Sequence, residues 1–137
     1  MIRFWLTRVA SESMAPTLRP GQLVLTRSLR RTSPIRRGDL VVADSAELGR
    51  HVVKRVVGLP GERVAIRSGV VTVDGVRLDE PYATPSFYQG DFDVPAGHYL
   101  LLGDNRDASS DARSWRLPYL PAERLVGRLI LLGGSAR

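Results

Sequence analysis

The 137 residues carry a net charge of +6, no cysteine, and two histidines, His51 and His98. That excludes disulfides, thiol catalysis and cysteine-based zinc sites, and two histidines are too few for a metal cluster. Frequent glycine and proline among short Val- and Leu-rich runs predict a mostly-β fold with many turns, in a length that suits one domain with a modest core.

The chain opens on residues 2–9, Ile-Arg-Phe-Trp-Leu-Thr-Arg-Val. This run is too short and too charged to span a bilayer, and it lacks the apolar core and cleavage site of a secretory signal. It reads equally as a packed first strand or as an aromatic and arginine contact with a membrane interface. Residues 11–18, Ser-Glu-Ser-Met-Ala-Pro-Thr-Leu, follow. Pro16 and Pro20 forbid a helix interior or a central strand there. Ser11 and Ser13 bracket Glu12 in what must be a constrained loop. One reading is a turn or helix cap; the other is a nucleophile with a second hydroxyl beside it.

Residues 22–26 predict a strand, a basic loop runs from Arg27 to Arg37, and Gly38-Asp39 turns into a strand over 40–43. The next strand, 51–57, holds Lys54, the only lysine beside nineteen arginines. Alternation puts Val52, Lys54 and Val56 on one face and Val53, Arg55 and Val57 on the other. Between two β-branched neighbours an ammonium is desolvated and its pKa falls, which an arginine cannot match. The alternative is a surface lysine left in an arginine-biased chain. Short strands are predicted over 64–66, 70–73 and 76–78, with Asp74-Gly75 as a hairpin turn. Residues 80–95 read as a loop over the core, and 99–102 as a buried strand.

That strand runs into the polar stretch Gly103-Asp104-Asn105-Arg106-Asp107-Ala108-Ser109-Ser110-Asp111-Ala112-Arg113, either a hydrogen-bonded network holding a site or an exposed charged loop. It lacks the central glycine and terminal glutamate of a calcium-binding EF-hand. A last strand is predicted over 125–132, broken by Gly127 and Arg128, so no transmembrane anchor is expected. The arginines are scattered and aromatics few, which favours a solvated basic face and no nucleic-acid partner.

Four segments together resemble the type I signal peptidases, the serine-lysine proteases that remove signal peptides. Residues 11–18 resemble the nucleophile box, 37–42 the Gly-Asp strand box, 53–62 the lysine box, and 103–115 the last box, in the family's order. The resemblance implies that Ser13 is the nucleophile and Lys54 the general base. It implies that Ser11 joins the Ser13 backbone N–H in the oxyanion hole. Ser109 would orient the lysine, and Asp111 with Arg113 would form a supporting ion pair. Glu12 between the serines, Ala108, and Arg116 after Trp115 depart from the usual pattern.

By resemblance the fold is a mostly-β, coiled-sheet domain with long loops, of the kind shared by signal peptidases and self-cleaving repressors, with one catalytic domain over residues 1–137. The implied activity is a serine endopeptidase that needs no metal or other cofactor. It would cut after small residues, Ala-X-Ala in type, in a secretory preprotein or propeptide. The resemblance places it at a membrane, on the extracytoplasmic side, with peripheral membrane contact. The missing anchor also resembles the cytoplasmic maturation proteases of nickel-type superoxide dismutase. A non-catalytic basic β-domain binding nucleic acid or anionic lipid is the competing class. A self-cleaving repressor ranks below it, since no DNA-binding helix pair or self-cleavage segment is visible.

Overall fold

In the computed structural model, which describes residues 1–131, eleven strands form two antiparallel sheets. They are β1 (Phe4–Arg8), β2 (Leu23–Ser28), β3 (Leu40–Ser45), β4 (Arg50–Gly58), β5 (Arg63–Arg67), β6 (Val70–Val73), β7 (Val76–Arg77), β8 (Gly90–Asp93), β9 (His98–Leu102), β10 (Tyr119–Pro121) and β11 (Leu125–Leu129). The larger sheet runs β1-β2-β11-β3-β4-β9-β10, and the smaller β7-β6-β5-β8. The mostly-β expectation holds.

The strand chemistry explains the layering. β3 is an almost unbroken apolar run because both its faces are covered. Val41 and Ala43 belong to a large core that also takes Val64, Ile66 and Val71 from the smaller sheet. Leu40 and Val42 belong to a second core with Val9, Met14, Leu18, Val24 and Leu129. The second core lies under the loop that carries Ser13, so Met14 and Leu18 anchor that loop from below.

Asp74-Gly75 is the predicted tight turn: both residues have positive φ, 48° and 83°, which a two-residue I′ hairpin requires. β4 is nine residues long and pairs with β3 from Arg50 to Arg55. Its pairing with β9 starts only at Arg55, and the register shifts between Val56 and Gly58. The shift explains why Val56 and Val57 are both buried in the same core, against simple alternation.

Two strands differ from expectation. The excursion at 80–95 contains β8, paired with β5, and β10 pairs with β9. The predicted last strand ends at Leu129; Leu132 lies outside the described residues. Among the described residues no helix is long and apolar enough to cross a membrane.

Candidate functional site

The stretch after β1 reverses through a compact loop: Leu18 N–H donates to Met14 O at 2.9 Å, and Gly21 N–H to Val9 O at 2.7 Å. Its second support is the loop after β9. Thr17 Oγ1 donates to Asp104 Oδ2 at 2.6 Å. Asn105 donates through its backbone N–H to Ser13 O at 2.9 Å and through Nδ2 to Glu12 O at 3.0 Å. Ser13 is thus fixed through its main chain, which leaves its hydroxyl for other partners.

Below this contact lies a buried ion pair. Arg55, on β4 one residue past Lys54, donates from Nε and Nη2 to the two oxygens of Asp104 at 2.8 and 2.7 Å. Its guanidinium also lies 3.6 Å from the Tyr82 ring centroid. A charged pair this deep is held only when both ions are fully hydrogen-bonded. Asp104 meets that condition with Arg55 and Thr17.

Lys54 is 3% exposed. It shares a face with Val52 and Val56, as alternation predicted, and stands opposite Val41 on β3. Burial pushes its pKa down from 10.5 to about 8; Asp111 opposes that shift, while Arg50 and Arg113 add to it. Its Nζ donates to Ser109 Oγ at 3.1 Å. Gly103 makes room for this contact, because a Cβ there would lie 2.6 Å from both Ser109 Cβ and Ser13 O. Asp111 is fully buried and accepts from Gly103 N–H at 2.9 Å and from Arg113 Nε at 2.8 Å. Arg113 also donates to Arg106 O, so the Asp111–Arg113 pair braces the loop that carries Ser109.

Ser11 Oγ donates to Ser13 Oγ at 3.1 Å and accepts from Ser13 N–H at 3.3 Å. Ser11, Ser13 and Lys54 line one cleft of about 440 Å³, with Val9, Val52 and Val53 as part of its apolar wall. Among the described residues Lys54 and Ser13 share no direct hydrogen bond. A desolvated amine, a hydroxyl nucleophile and two convergent donors can carry out acyl transfer without histidine or metal.

All six residues singled out in the sequence therefore meet around one cleft and the loop behind it: Ser11, Ser13, Lys54, Ser109, Asp111 and Arg113. Sequence reading missed Arg50, an exposed cation that lines the cleft and acts electrostatically on Lys54. Its even spacing from Lys54 on one strand was the available signal. Gly103 and Arg55 were also missed as contributors.

Residues 1–132 match the family model described as signal peptidase, peptidase S26. The chain is 37% identical over 134 residues to a signal peptidase I of Leptolyngbya laminosa, covering 90% of this chain and 65% of that one. It is 35% identical over 132 residues to a signal peptidase I of Bacillus licheniformis, covering 87% of this chain and 70% of the relative. Among solved structures, a signal peptidase I from Enterococcus faecalis aligns with a TM-score of 0.60 at 30% identity, over 72% of this chain and 98% of that one.

Proposed function

The chain belongs to the type I signal peptidase family, peptidase S26, and from that premise we propose that it is a serine endopeptidase which removes N-terminal signal peptides or propeptides with a Ser13–Lys54 dyad. One observation carries the reading: a buried lysine with a lowered pKa and a buried serine line the same cleft.

Neutral Lys54 takes the Ser13 proton as Oγ attacks the scissile carbonyl. In the free chain Ser13 Oγ holds the Ser11 hydroxyl at 3.1 Å. The substrate carbonyl oxygen replaces it as acceptor and draws both the Ser11 O–H and the Ser13 N–H as its charge develops. The Ser13–carbonyl bond forms, the peptide C–N bond breaks, and the leaving amine takes the proton from Lys54. Water then attacks the ester and passes a proton to Lys54; the ester C–O bond breaks, Lys54 returns that proton to Ser13 Oγ, and the acyl product leaves as the acid. Ser109 keeps the amine aimed into the cleft. The long or absent Ser13–Lys54 contact of a free enzyme tightens when substrate excludes water.

The substrate lies extended in the cleft. β1 is an edge strand there, and residues 50–54 of β4 have no β9 partner, so two strand edges are available for backbone pairing. Small residues before the cut, Ala-X-Ala in type, follow from the family. The chain works at a membrane surface, on the extracytoplasmic side, through peripheral contact.

The test is hydrolysis of a fluorogenic Ala-X-Ala peptide by wild type, Ser13→Ala and Lys54→Arg. Cleavage lost in both variants is the expected result. Cleavage kept by either one removes that residue from the chemistry. The basic β-domain alternative predicts salt-sensitive ligand binding that ignores Ser13→Ala.

A further inference from the structure

The cleft that holds Ser13 and Lys54 is lined by three further basic side chains, Arg8, Arg50 and His51, and by no carboxylate. His51 stands opposite Asp44 on β3, so an acidic group already faces it. Arg50 and Arg8 differ. Arg50 stands opposite Ser45, and Arg8 opposite Leu23. The two carboxylates of the β3–β4 hairpin are engaged elsewhere: Asp44 reaches Arg124 at 3.1 Å, and Glu47 accepts from Arg116 N–H at 3.0 Å. Among the described residues the side chains of Arg8 and Arg50 have no hydrogen bond and no ion pair.

The strand order fixes where these cations lie along a substrate. Successive antiparallel pairings, β1-β2, β2-β11, β11-β3 and β3-β4, make β1 and β4 run parallel. Both run toward the catalytic pair: β1 leads into the loop of Ser11 and Ser13, and β4 reaches Lys54. Past Lys54 the free edge of β4 is closed by β9, which pairs from Arg55 onward. A peptide on the open edge therefore extends one way, from Lys54 back toward Arg50. The acyl side lies there, because the wall of Val9, Val52 and Val53 suits the small residues before the cut. At about 3.3 Å per residue, Arg50 stands about 13 Å along the strand from Lys54. That is four residues beyond the one at the cut, the fifth before the scissile bond.

We propose that Arg50, with Arg8 on the β1 side of the cleft, forms a subsite for an acidic side chain at the fifth residue before the cut. The guanidinium fork matches a carboxylate in two-point contact, and a lysine at that position meets two like charges. The subsite selects by charge, beside the selection by size made closer to the cut. The inference rests on the peptidase reading for the position of the cut, and the binding measurement below needs no cleavage.

The full chain carrying Ser13→Ala is titrated with fluorescein-labelled Ala-X-Ala peptides, and binding is read by anisotropy. Four peptides are compared: Asp, Ser or Lys at the fifth residue before the cut, and Asp moved to the second residue after it. Asp at the fifth residue binds about five-fold tighter than Ser, and Lys about five-fold weaker, as for one exposed charge pair. R50Q brings the three toward equality, and R50E reverses their order, which a merely structural role for Arg50 would not produce. R8Q reduces the preference in part. R77Q, on β7 in the smaller sheet, leaves it in place. Cleavage by the wild-type chain at pH 9, above the Lys54 pKa of about 8, follows the same order in kcat/KM. Equal binding of the two Asp peptides, or equal losses in R77Q and R50Q, would mean attraction by the net charge of +6 and overturn the subsite. Binding that ignores the fifth residue, or no binding of any peptide, overturns it too. Ordered binding without cleavage by the wild-type chain sinks the peptidase reading alone, and cleavage without order sinks the subsite alone.

Discussion

Replacing Lys54 by methionine should stabilise the protein at neutral pH while it abolishes cleavage. The pKa displacement from 10.5 to about 8 corresponds to about 3 kcal/mol of cost in keeping the ammonium buried. Below pH ~8 both folded and unfolded chains hold the proton, and the folded state bears that whole cost. Between about 8 and 10.5 the unfolded chain keeps a proton that the folded one has shed, so wild-type stability rises with pH. Above about 10.5 the cost is gone. Methionine removes the charge and also the hydrogen bond to Ser109, worth about 1 kcal/mol. The variant should then be about 2 kcal/mol more stable than wild type near pH 7 and about 1 kcal/mol less stable near pH 11. Urea unfolding of both proteins at each pH measures the gap, and titrations common to both cancel. A gap that does not change between the two pH values, or a variant less stable at neutral pH, would refute the buried-amine argument.

The same pKa predicts that kcat/KM for an Ala-X-Ala peptide rises with pH through about 8. Arg50→Gln should shift that limb upward, because the Arg50 charge helps to lower the Lys54 value. Ser11→Ala should cost about 3 kcal/mol of transition-state stabilisation, read as a 10²- to 10³-fold fall in kcat with little change in KM. Gly103→Ala should displace Ser109 from the amine and depress kcat while the urea midpoint changes less. Asp104→Ala should destabilise by about 3–5 kcal/mol, since it leaves Arg55 buried without its carboxylate. Full stability in that variant would mean that the pair does not hold the loop after β9 to β4.

Much of the site is legible before any coordinates. Lys54 stands out because a chain that otherwise uses arginine has one ammonium, placed between two valines that must face inward. Ser11 and Ser13 are visible as a pair, but their sequence alone favours a turn or helix cap. What supports the nucleophile reading is the loop after β9, which holds Ser13 by its carbonyl and leaves its hydroxyl to Ser11 and the cleft, and such long-range pairing is invisible to local pattern. β8 was missed because only Phe92 faces inward there. Asp91 and Asp93 point out to Arg67 and Arg63, so the segment has the composition of a loop. β10 was missed for its length and its proline. Arg55 illustrates the limit most clearly. Arginine is ordinarily solvated, and nothing in its neighbours announces that Asp104, 49 positions later, neutralises it in the interior.

β4 changes its surroundings midway. From Arg55 onward it pairs with β9, while Val56 bonds on its other side to Gly38 and Asp39; from Arg50 to Lys54 it has β3 alone. In the second region alternate amides point away from β3 toward the cleft. Those amides should exchange with deuterium far faster than those of Arg55 and Val56, which have partners on both sides. An extended peptide lying in the cleft would slow them selectively. Occupancy can then be followed residue by residue along one strand, without any bond being cut.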